Sequence, residues 1–457
     1  MFQIIKKYNN QIALDDENYG PLSFKNLIDY SNEIQKKILK KNICLLICNN
    51  NIESIVGYIA FLNKRNIITI LVDHSFKTEF VNKVIKIYKP KYIFAPKNFN
   101  SNTPLALNRL FKSYALYETK FKIKKKINFI NFLLLPTSGT TQSPKFVRLS
   151  RNNLLDNTKN IIKSLKIKSN HTTITTMPMG YSYGLSIINT HLFAGAKILL
   201  NTKTIFEKDF WNKIKIKKPT SFGGVPEFYE YLKKLKFENY DLPSLKYLTQ
   251  AGGKLGNDYL NYYGKICRDK KIKFIKMYGQ TEASPRITFL PWKDFYSKID
   301  SIGKPFKGSR IYLIDKKGKK ILKKNKIGEV VYQGKNVSLG YAKNYRDLSK
   351  GDKNKKKLFT GDLAKKDKDN FYYIVGRKKR IVKLFGVRLD MDDIEKHLRK
   401  HKINCKCFHY DKKLHLKLKN LKMAEKTKNI ISSHLGINKN YIIIQSSNVN
   451  SFKEIAN

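Results

Sequence analysis

The chain has 457 residues, of which 41% are hydrophobic and 12% aromatic, so it can build a sizeable core and is not a wholly disordered chain. Ninety-one Lys and Arg against 35 Asp and Glu give it a formal net charge of +56. The five cysteines are few and odd in number, which speaks against a disulfide framework and favours a reducing compartment.

The net charge of +56 invites a nucleic-acid-binding interpretation. However, Lys is spread over predicted strands, helices and loops alike, and its densest clusters, at 124–126, 316–326 and 353–357, are short. A dedicated polyanion binder would concentrate its charge on a tail, a stripe or one helix. We therefore favour a compositional bias and expect no nucleic-acid partner.

The first ten residues, MFQIIKKYNN, reach polar positions too early for a secretory signal. No apolar stretch approaches the ~20 residues that a membrane-spanning helix needs. We therefore expect a cytoplasmic protein without a transmembrane segment.

The first part of the chain alternates between two hydrophobic periods. Short apolar runs predict strands at 42–48, 66–73 and 91–96, and helical spacing predicts helices at 51–66 and 79–89. A polar connector is expected over about 97–127, before a buried strand at 130–136. Strand–helix–strand repetition of this kind predicts an α/β domain with a mainly parallel sheet.

The alternation continues through the middle of the chain. It predicts helices at about 152–165 and 183–194, and strands at 172–178, 197–200, 220–226, 245–253 and 272–284. From about residue 301 short β-rich pieces appear, at 310–315, 328–334 and 371–376. The last stretch is basic and mixes strands with helices, which indicates a domain boundary near 362–380.

The strongest local signal is TSGTTQSPK (137–145), which we place between a strand and a helix. Small hydroxyl residues and glycine present amides and hydroxyls outward, and near a helix N-terminus such a loop suits triphosphate oxygens. Lys145 adds a positive charge. The pattern is not GxxxxGK[ST], and an ordinary Ser/Thr-rich turn is the alternative.

This loop resembles the signature [T/S]SG[T/S][T/S]GxPK of the acyl-adenylate-forming superfamily, which contains acyl- and aryl-CoA synthetases, peptide-synthetase adenylation domains and luciferases. One position departs, because Gln142 stands where the loop usually has glycine. The resemblance implies that the loop binds ATP and that Lys145 also takes part in catalysis. The loop residues implied as ATP contacts are Thr137, Ser138, Gly139, Thr140, Thr141 and Lys145.

Two further segments resemble the family's nucleotide-binding turns. Residues 251–253 are similar to its adenosine-contacting turn, and residues 278–282 match its YGxTE motif. The resemblance implies that Tyr278 stacks on adenine, that Thr281 contacts phosphate and acts in catalysis, and that Glu282 holds Mg²⁺, for which a carboxylate is a suitable hard ligand. The implied nucleotide contacts are Ala251, Gly252, Gly253, Tyr278, Gly279, Gln280 and Thr281.

The remaining motifs follow in the family's order. Residues 301–305 and 328–330 match two structural signatures, and residues 360–362 match its TGD segment. The resemblance implies that Asp362 accepts hydrogen bonds from both ribose hydroxyls and that Arg377 also contacts the ribose. Each short piece alone could be a surface turn or hairpin; their common order over 137–395 favours the family.

Residues 376–395 resemble the hinge segment between the family's two domains. The resemblance implies an α/β fold with a large N-terminal domain (1–376) of mainly parallel sheets plus a β-rich subdomain, and a small mobile α+β C-terminal domain (377–457). Lys379 occupies the hinge position, and Gly386 and Arg388 match the GxR that faces the thiol tunnel. Lys453 is the best candidate for the family's catalytic lysine, although Phe452 replaces the usual Gly and the Pro is missing.

Residues 177–196 align with the family's substrate-gating segment. Amino-acid-activating members carry Phe-Asp in place of Tyr183-Gly184, and that Asp pairs with the substrate's ammonium; Gly184 cannot do so, and an unpaired ammonium is costly to bury. We therefore expect an acid without an α-amino group. Tyr181 takes the place of a common His, and Gly223 and Gly224 are expected to leave room in the acyl pocket.

The resemblance implies an acid–thiol ligase that uses ATP and Mg²⁺ to convert a fatty, other acyl or aryl acid into acyl-AMP and transfers the acyl group to CoA. The phosphopantetheine of an acidic acyl carrier protein is the alternative acceptor, because a basic surface would steer such a partner. An alternative of another class is a degenerate, non-catalytic polyanion-binding protein, which Gln142 and the poor lysine motif motivate.

Overall fold

The structure is a computed structural model that describes residues 7–39, 41–101, 105–109, 111–123, 126–137, 144–378, 381–384, 387–418 and 420–446. Its α-helices are α1 Phe24–Lys37, α2 Ile52–Asn63, α3 Thr78–Tyr88, α4 Arg151–Leu165, α5 Ser182–Ala194, α6 Lys208–Lys217, α7 Pro226–Lys234, α8 Asn257–Asp269, α9 Met391–Lys400 and α10 Ala424–Leu435.

The strands are β1 Ile12–Asp16, β2 Gly20–Ser23, β3 Asn42–Cys48, β4 Ile67–Asp73, β5 Tyr92–Pro96, β6 Leu105–Arg109, β7 Tyr114–Thr119, β8 Leu133–Pro136, β9 Phe146–Leu149, β10 Thr172–Ile174, β11 Lys197–Leu199, β12 Ser221–Gly224, β13 Tyr247–Gln250, β14 Lys273–Gly279, β15 Arg286–Leu290, β16 Lys304–Pro305, β17 Arg310–Ile314, β18 Lys320–Ile321, β19 Gly328–Gln333, β20 Tyr341–Ala342, β21 Lys357–Lys366, β22 Tyr372–Arg377, β23 Ile381–Leu384, β24 Val387–Asp390, β25 Cys405–Tyr410, β26 Lys413–Leu418 and β27 Ile442–Ser446.

Two large sheets contain most of these strands. One has nine strands in the order β16-β15-β14-β13-β12-β10-β11-β1-β2, and its strands from β14 to β1 are parallel. The other has eight strands in the order β20-β9-β8-β4-β3-β5-β7-β6, with parallel pairing at its centre and antiparallel strands toward both edges. These sheets confirm the predicted α/β class.

The smaller sheets account for the β-rich part and the C-terminal part. Five antiparallel strands in the order β18-β17-β19-β21-β22 form the β-rich sheet. Beyond it, β23 pairs with β24, and β25 to β27 form a three-stranded sheet. This last sheet shares a hydrophobic cluster with α9 and α10, which is an α+β arrangement.

The centre of the eight-stranded sheet is covered on both faces. Cys44 and Leu46 of β3 pack in one cluster with residues of α1 and α2, whereas Ile43 and Leu45 pack in a second cluster with residues of α3. Successive side chains of a strand point to opposite faces, so a strand buried on both faces reads as a continuous apolar run. This is why the sequence predicts β3 and β4 well.

The expected polar connector at 97–127 is wrong in part, because β6 and β7 lie within it. β7 pairs antiparallel with both β5 and β6, and its residues Tyr114–Leu116 are buried. Pairing with β5 and β6 stabilises this six-residue segment, which lies within an otherwise polar stretch of the sequence. The eight-stranded sheet is therefore extended beyond β5.

Candidate active site

The loop at 137–145 connects two antiparallel strands. Pro136 of β8 pairs with Phe146 of β9, and α4 begins only at Arg151, after the four residues of β9. The expected direct passage from loop to helix is therefore wrong, and the N-terminus of α4 lies roughly 13 Å along the strand from the loop. Of the loop's expected ATP contacts Thr137 and Lys145 are described, whereas 138–143, which include Ser138, Gly139, Thr140, Thr141 and Gln142, lie outside the described residues.

Lys145 and Glu282 contact the same tyrosine, Tyr341. The Lys145 ammonium lies 3.6 Å from the centre of the Tyr341 ring, a cation–π contact. The Tyr341 hydroxyl donates a 2.7 Å hydrogen bond to Glu282 Oε1. Glu282 is only 4% exposed. Tyr341 thus connects the cation of the loop to the carboxylate of the YGQTE segment, and no local sequence pattern indicates this contact.

Glu282 fits a cation. Among the described residues it forms no ion pair with Lys, Arg or His, and its side chain accepts a hydrogen bond from the neutral Tyr341 hydroxyl. The described residues contain no cluster of three or more His, Cys, Asp or Glu suited to a metal. Mg²⁺ is commonly held by one or two carboxylates together with substrate phosphates, so a single buried carboxylate is compatible with it.

The YGQTE segment forms a tight turn after β14. A Cβ at Gly279 would lie 1.9 Å from the Pro285 carbonyl oxygen, so no larger residue fits this backbone. The backbone N–H of Gln280 donates to the same Pro285 oxygen. The hydroxyls of Thr281 and Ser182 lie 3.1 Å apart. The buried Nε2 of Gln280 has no hydrogen-bond partner in the described structure. This buried side-chain N–H group can donate to an acceptor oxygen of a bound ligand.

Tyr278, Asp362 and Arg377 converge from three separate segments. The Tyr278 hydroxyl donates a 2.5 Å bond to Asp362 Oδ2, and Arg377 Nε donates to Asp362 Oδ1. Burial and the neighbouring carboxylate raise the pKa of Tyr278 well above its usual value. Burial alone would lower the pKa of Arg377, but Asp362 reverses this and raises it. A carboxylate has about four lone-pair sites, so Asp362 retains capacity for further hydrogen bonds.

The expected adenosine turn lies against the gating segment. Gly252 has φ +91°, a conformation that favours glycine, and a Cβ there would lie 3.1 Å from the Tyr181 hydroxyl. Ala251 is fully buried, and Gly253 lies beside Pro226. The structure therefore brings Tyr181 and Gly252 together.

Gly223 and Gly224 do not leave room for a substrate as expected. A Cβ on Gly223 would lie 2.0 Å from Thr249 Oγ1 and 2.5 Å from the Tyr183 hydroxyl, and one on Gly224 would meet the Phe228 ring. The space beside both glycines is thus filled by protein side chains. The buried Tyr183 hydroxyl lies 2.8 Å from both oxygens of Thr249, so it is part of this packing.

Gly184 sits where no side chain fits. Its Cβ would lie 2.1 Å from the Pro178 carbonyl oxygen and 2.7 Å from that of Met177. We expect Gly184→Ala to lower the free energy of unfolding by about 1–3 kcal/mol, because backbone must move to accommodate the methyl group. Urea denaturation measures this loss. Gly351→Ala is the matched control, since its nearest neighbour is Asn128 Nδ2 at 3.9 Å, and an equal loss in both variants would contradict the steric explanation.

His191 is buried on α5 and is held neutral. Its Nδ1 lies 2.8 Å from the Ile187 carbonyl oxygen and donates to it, and burial lowers its pKa to about 4. The unfolded chain binds a proton near pH 6.5, so stability that is present above this pH is lost as the pH falls toward 4. Between pH 7 and pH 5 we expect His191 to lower the free energy of unfolding of the wild type by about 2 kcal/mol. His191→Asn should not show this contribution, as measured by urea denaturation at the two pH values. The control is Gly351→Ala, which removes no titratable group and should keep the wild-type pH dependence. An unchanged pH dependence in His191→Asn would contradict this assignment.

Several expected residues cannot be placed. Lys379, Gly386 and Lys453 lie outside the described residues. Arg388 belongs to β24, where its backbone pairs with Lys383. The hinge, the thiol tunnel and the catalytic lysine therefore stay predictions.

The comparisons with known proteins agree with this fold. Residues 3–342 match the family of AMP-binding enzymes, described as "AMP-binding enzyme". The chain therefore belongs to this family. None of the helices in the described residues is long and apolar enough to cross a membrane.

Two relatives and one solved structure illustrate the similarity. An oxalate–CoA ligase of Arabidopsis thaliana is 27% identical over 274 residues, covering 59% of this chain and 52% of the relative. A 2-succinylbenzoate–CoA ligase of Bacillus cereus (strain ZK / E33L) is 29% identical over 292 residues, covering 64% of this chain and 58% of the relative. The structure of o-succinylbenzoate CoA synthetase (MenE) from Bacillus subtilis with ATP and magnesium ion has a TM-score of 0.69 at 18% identity, covering 97% of this chain and 94% of that one. This chain thus spans little more than half the length of the two relatives, and the solved structure shows the fold.

Proposed function

We propose that this chain activates a carboxylic acid with ATP and transfers the acyl group to a thiol, most directly CoA. The observation that carries the proposal is the meeting of Lys145 and Glu282 on Tyr341, together with the meeting of Tyr278 and Arg377 on Asp362. Lys145 and Glu282 suit a phosphate and its metal ion, and Asp362 with Arg377 suits a ribose. Relatives named as CoA ligases support CoA over a carrier protein.

In the first step a carboxylate oxygen of the acid attacks the α-phosphorus of ATP, and pyrophosphate leaves. Lys145 supplies positive charge, Thr281 a hydroxyl and Gln280 an amide donor, so the chain acts by positioning and charge stabilisation. Mg²⁺ held by Glu282 would neutralise phosphate charge when bound. Asp362 and Arg377 orient the ribose, and Tyr278 offers its ring to adenine.

In the second step the thiol attacks the acyl carbon and AMP leaves with the oxygen that the carboxylate contributed. We assign this step to a rotation of residues 377–457 against residues 1–376 about Lys379, which would bring Gly386 and Arg388 to the thiol. Lys453 would serve the first step. Gly184 supports an acid without an α-amino group, because this backbone excludes the carboxylate that would pair with an ammonium.

Exchange of labelled pyrophosphate into ATP tests the proposal. We expect exchange with at least one member of a panel of short, aryl and long-chain acids, little exchange with amino acids, and AMP release on addition of CoA. Lys453→Ala should abolish exchange if that residue is catalytic. If no acid supports exchange, the proposal fails, and a salt-sensitive gel shift on nucleic acid becomes the test of a polyanion-binding protein.

A further inference from the structure

A small cavity lies beside Tyr183, between α5 and the nine-stranded sheet. Its volume is about 20 Å³, and its lining includes Tyr183, His191, Ser221, Tyr247 and Arg286. A single water needs roughly 10–15 Å³ of such volume, so the cavity corresponds to one or two water-sized groups, such as the two oxygens of a carboxylate. A long acyl chain does not fit it.

Arg286 places an uncompensated positive charge in this cavity. The residue is only 3% exposed, and among the described residues its Nε and Nη2 have no hydrogen-bond partner. These two nitrogens lie on the same edge of the guanidinium, the edge that binds a carboxylate through two parallel hydrogen bonds. The face of the guanidinium is already used, since its central carbon lies 4.1 Å from the Tyr183 ring centre. None of the residues that line the cavity is Asp or Glu.

Further polar atoms face the same space. Ser221 Oγ, Tyr247 Oη and His191 Nε2 are buried and make no well-formed hydrogen bond within the described structure. The two hydroxyls can donate to an anion, and His191 Nε2 can accept from a hydroxyl or a water because Nδ1 carries the proton. An uncompensated buried charge is strongly unfavourable, so the set is suited to receive an anion from outside the chain.

Two residues of the lining are linked to the proposed site of the reaction, and one of them, Arg286, pairs with Gly279 of the YGQTE segment across β14 and β15. Tyr183 directly follows Ser182, whose hydroxyl lies 3.1 Å from that of Thr281. Arg286 itself opens β15, four residues after Glu282. A compact substrate can therefore present one carboxylate near Thr281 and extend its other end toward Arg286.

We propose that Arg286 binds a second carboxylate of the substrate, so that the acid activated by this chain is a compact dicarboxylic acid. The proposal rests on the proposed function and names its substrate class. Arg286 is then a specificity-determining residue that contacts the end of the substrate remote from the reacting carboxylate.

Pyrophosphate exchange with matched acids tests this. Succinate and glutarate are compared with butyrate and valerate, which have the same chain lengths without the second carboxylate. In the wild type we expect kcat/KM to be about 100-fold higher for the diacids than for the monoacids, because a monoacid leaves the buried Arg286 without its charge partner. Arg286→Met should lower kcat/KM about 100-fold for diacids and leave it within about 3-fold for monoacids. Arg286→Lys should recover part of the preference, since it restores the charge without the two-bond geometry.

Two controls keep the outcome clear. Arg268→Met changes an exposed arginine on α8 and should behave as wild type. In the absence of nucleotide, diacids should raise the melting temperature of the wild type and not that of Arg286→Met, which also shows that the variant is folded. If the wild type uses monoacids as well as diacids, or if Arg286→Met lowers both equally, the proposal is overturned while acid activation stands. If no acid supports exchange in the wild type, both fail together.

Discussion

Replacing Glu282 by glutamine is expected to lower kcat/KM for pyrophosphate exchange by about 100- to 1,000-fold. Glutamine keeps the size of the side chain and an oxygen for the Tyr341 hydroxyl, but it removes the anionic ligand that Mg²⁺ needs. The loss should shrink as Mg²⁺ is raised, because a weakened metal site is partly refilled by mass action. Exchange rates at increasing Mg²⁺ with a fixed acid measure both effects.

The control is Glu33→Gln, an exposed carboxylate on α1, which should match the wild type. Tyr341→Phe distinguishes the charge of the Glu282 carboxylate from its positioning by Tyr341. It keeps the ring beneath Lys145 and removes only the hydrogen bond from the hydroxyl to Glu282. We expect about a 10-fold loss there, since hydrogen bonds to charged groups contribute about 1.5–3 kcal/mol and the site stays solvated in part. Activity of Glu282→Gln within 3-fold of the wild type at low Mg²⁺ would contradict the assigned role.

Replacing Arg148 by methionine is expected to lower the free energy of unfolding by about 4 kcal/mol. Arg148 on β9 is fully buried, and its side chain makes five hydrogen bonds. The acceptors are Tyr341 O, Asn131 Oδ1, Lys350 O, Leu339 O and Gly351 O. Methionine fills much of the volume but removes the donor from these buried and part-buried oxygens, at roughly 1–3 kcal/mol for each one that no water or other donor satisfies.

The same change should reach the candidate active site. Arg148 holds the chain on both sides of Tyr341, so its loss should displace the tyrosine that joins Lys145 to Glu282. We therefore expect Arg148→Met to lose exchange activity as well as stability, measured at a temperature where the variant is still folded. Arg346→Met, an exposed arginine in the same part of the chain, is the control. An unfolding free energy of Arg148→Met within about 1 kcal/mol of the wild type would refute the anchoring role.

The parts of the fold that depend on local pattern could be predicted from the sequence. β3 and α2 lie within a few residues of their predicted bounds, because a run buried on both faces and a helical apolar stripe are visible in one segment. β7 could not, since its stability comes from pairing with β5 and β6. The helix α6 could not be predicted either. It buries only Phe210, Lys213 and Ile214, so its sequence shows little apolar periodicity.

The motif residues of the candidate site could be named from the sequence, but their connections could not. Tyr341 lies 59 positions from Glu282 and belongs to a two-residue strand, so no local pattern indicates that the two meet. Arg148 and Arg286 are hidden for another reason: they are two of 91 basic residues, most of which have no special environment. Their burial separates them from most of the others, and burial of a charge depends on parts of the chain that are distant in sequence.

The net charge of +56 invited a different function and now has a more limited meaning. In our proposal the candidate site uses Lys145, Arg377 and Arg286. The proposed chemistry therefore depends on where these few cations lie.

Transfer of an oxygen isotope tests acid activation most directly. The wild-type protein is incubated with ATP, Mg²⁺, CoA and an acid that supports exchange, labelled with ¹⁸O in its carboxylates, and the AMP is examined by mass spectrometry. Attack of the carboxylate on the α-phosphorus predicts one ¹⁸O atom in each AMP formed. Unlabelled AMP, or label in inorganic phosphate with ADP as the nucleotide product, would contradict the proposed adenylation.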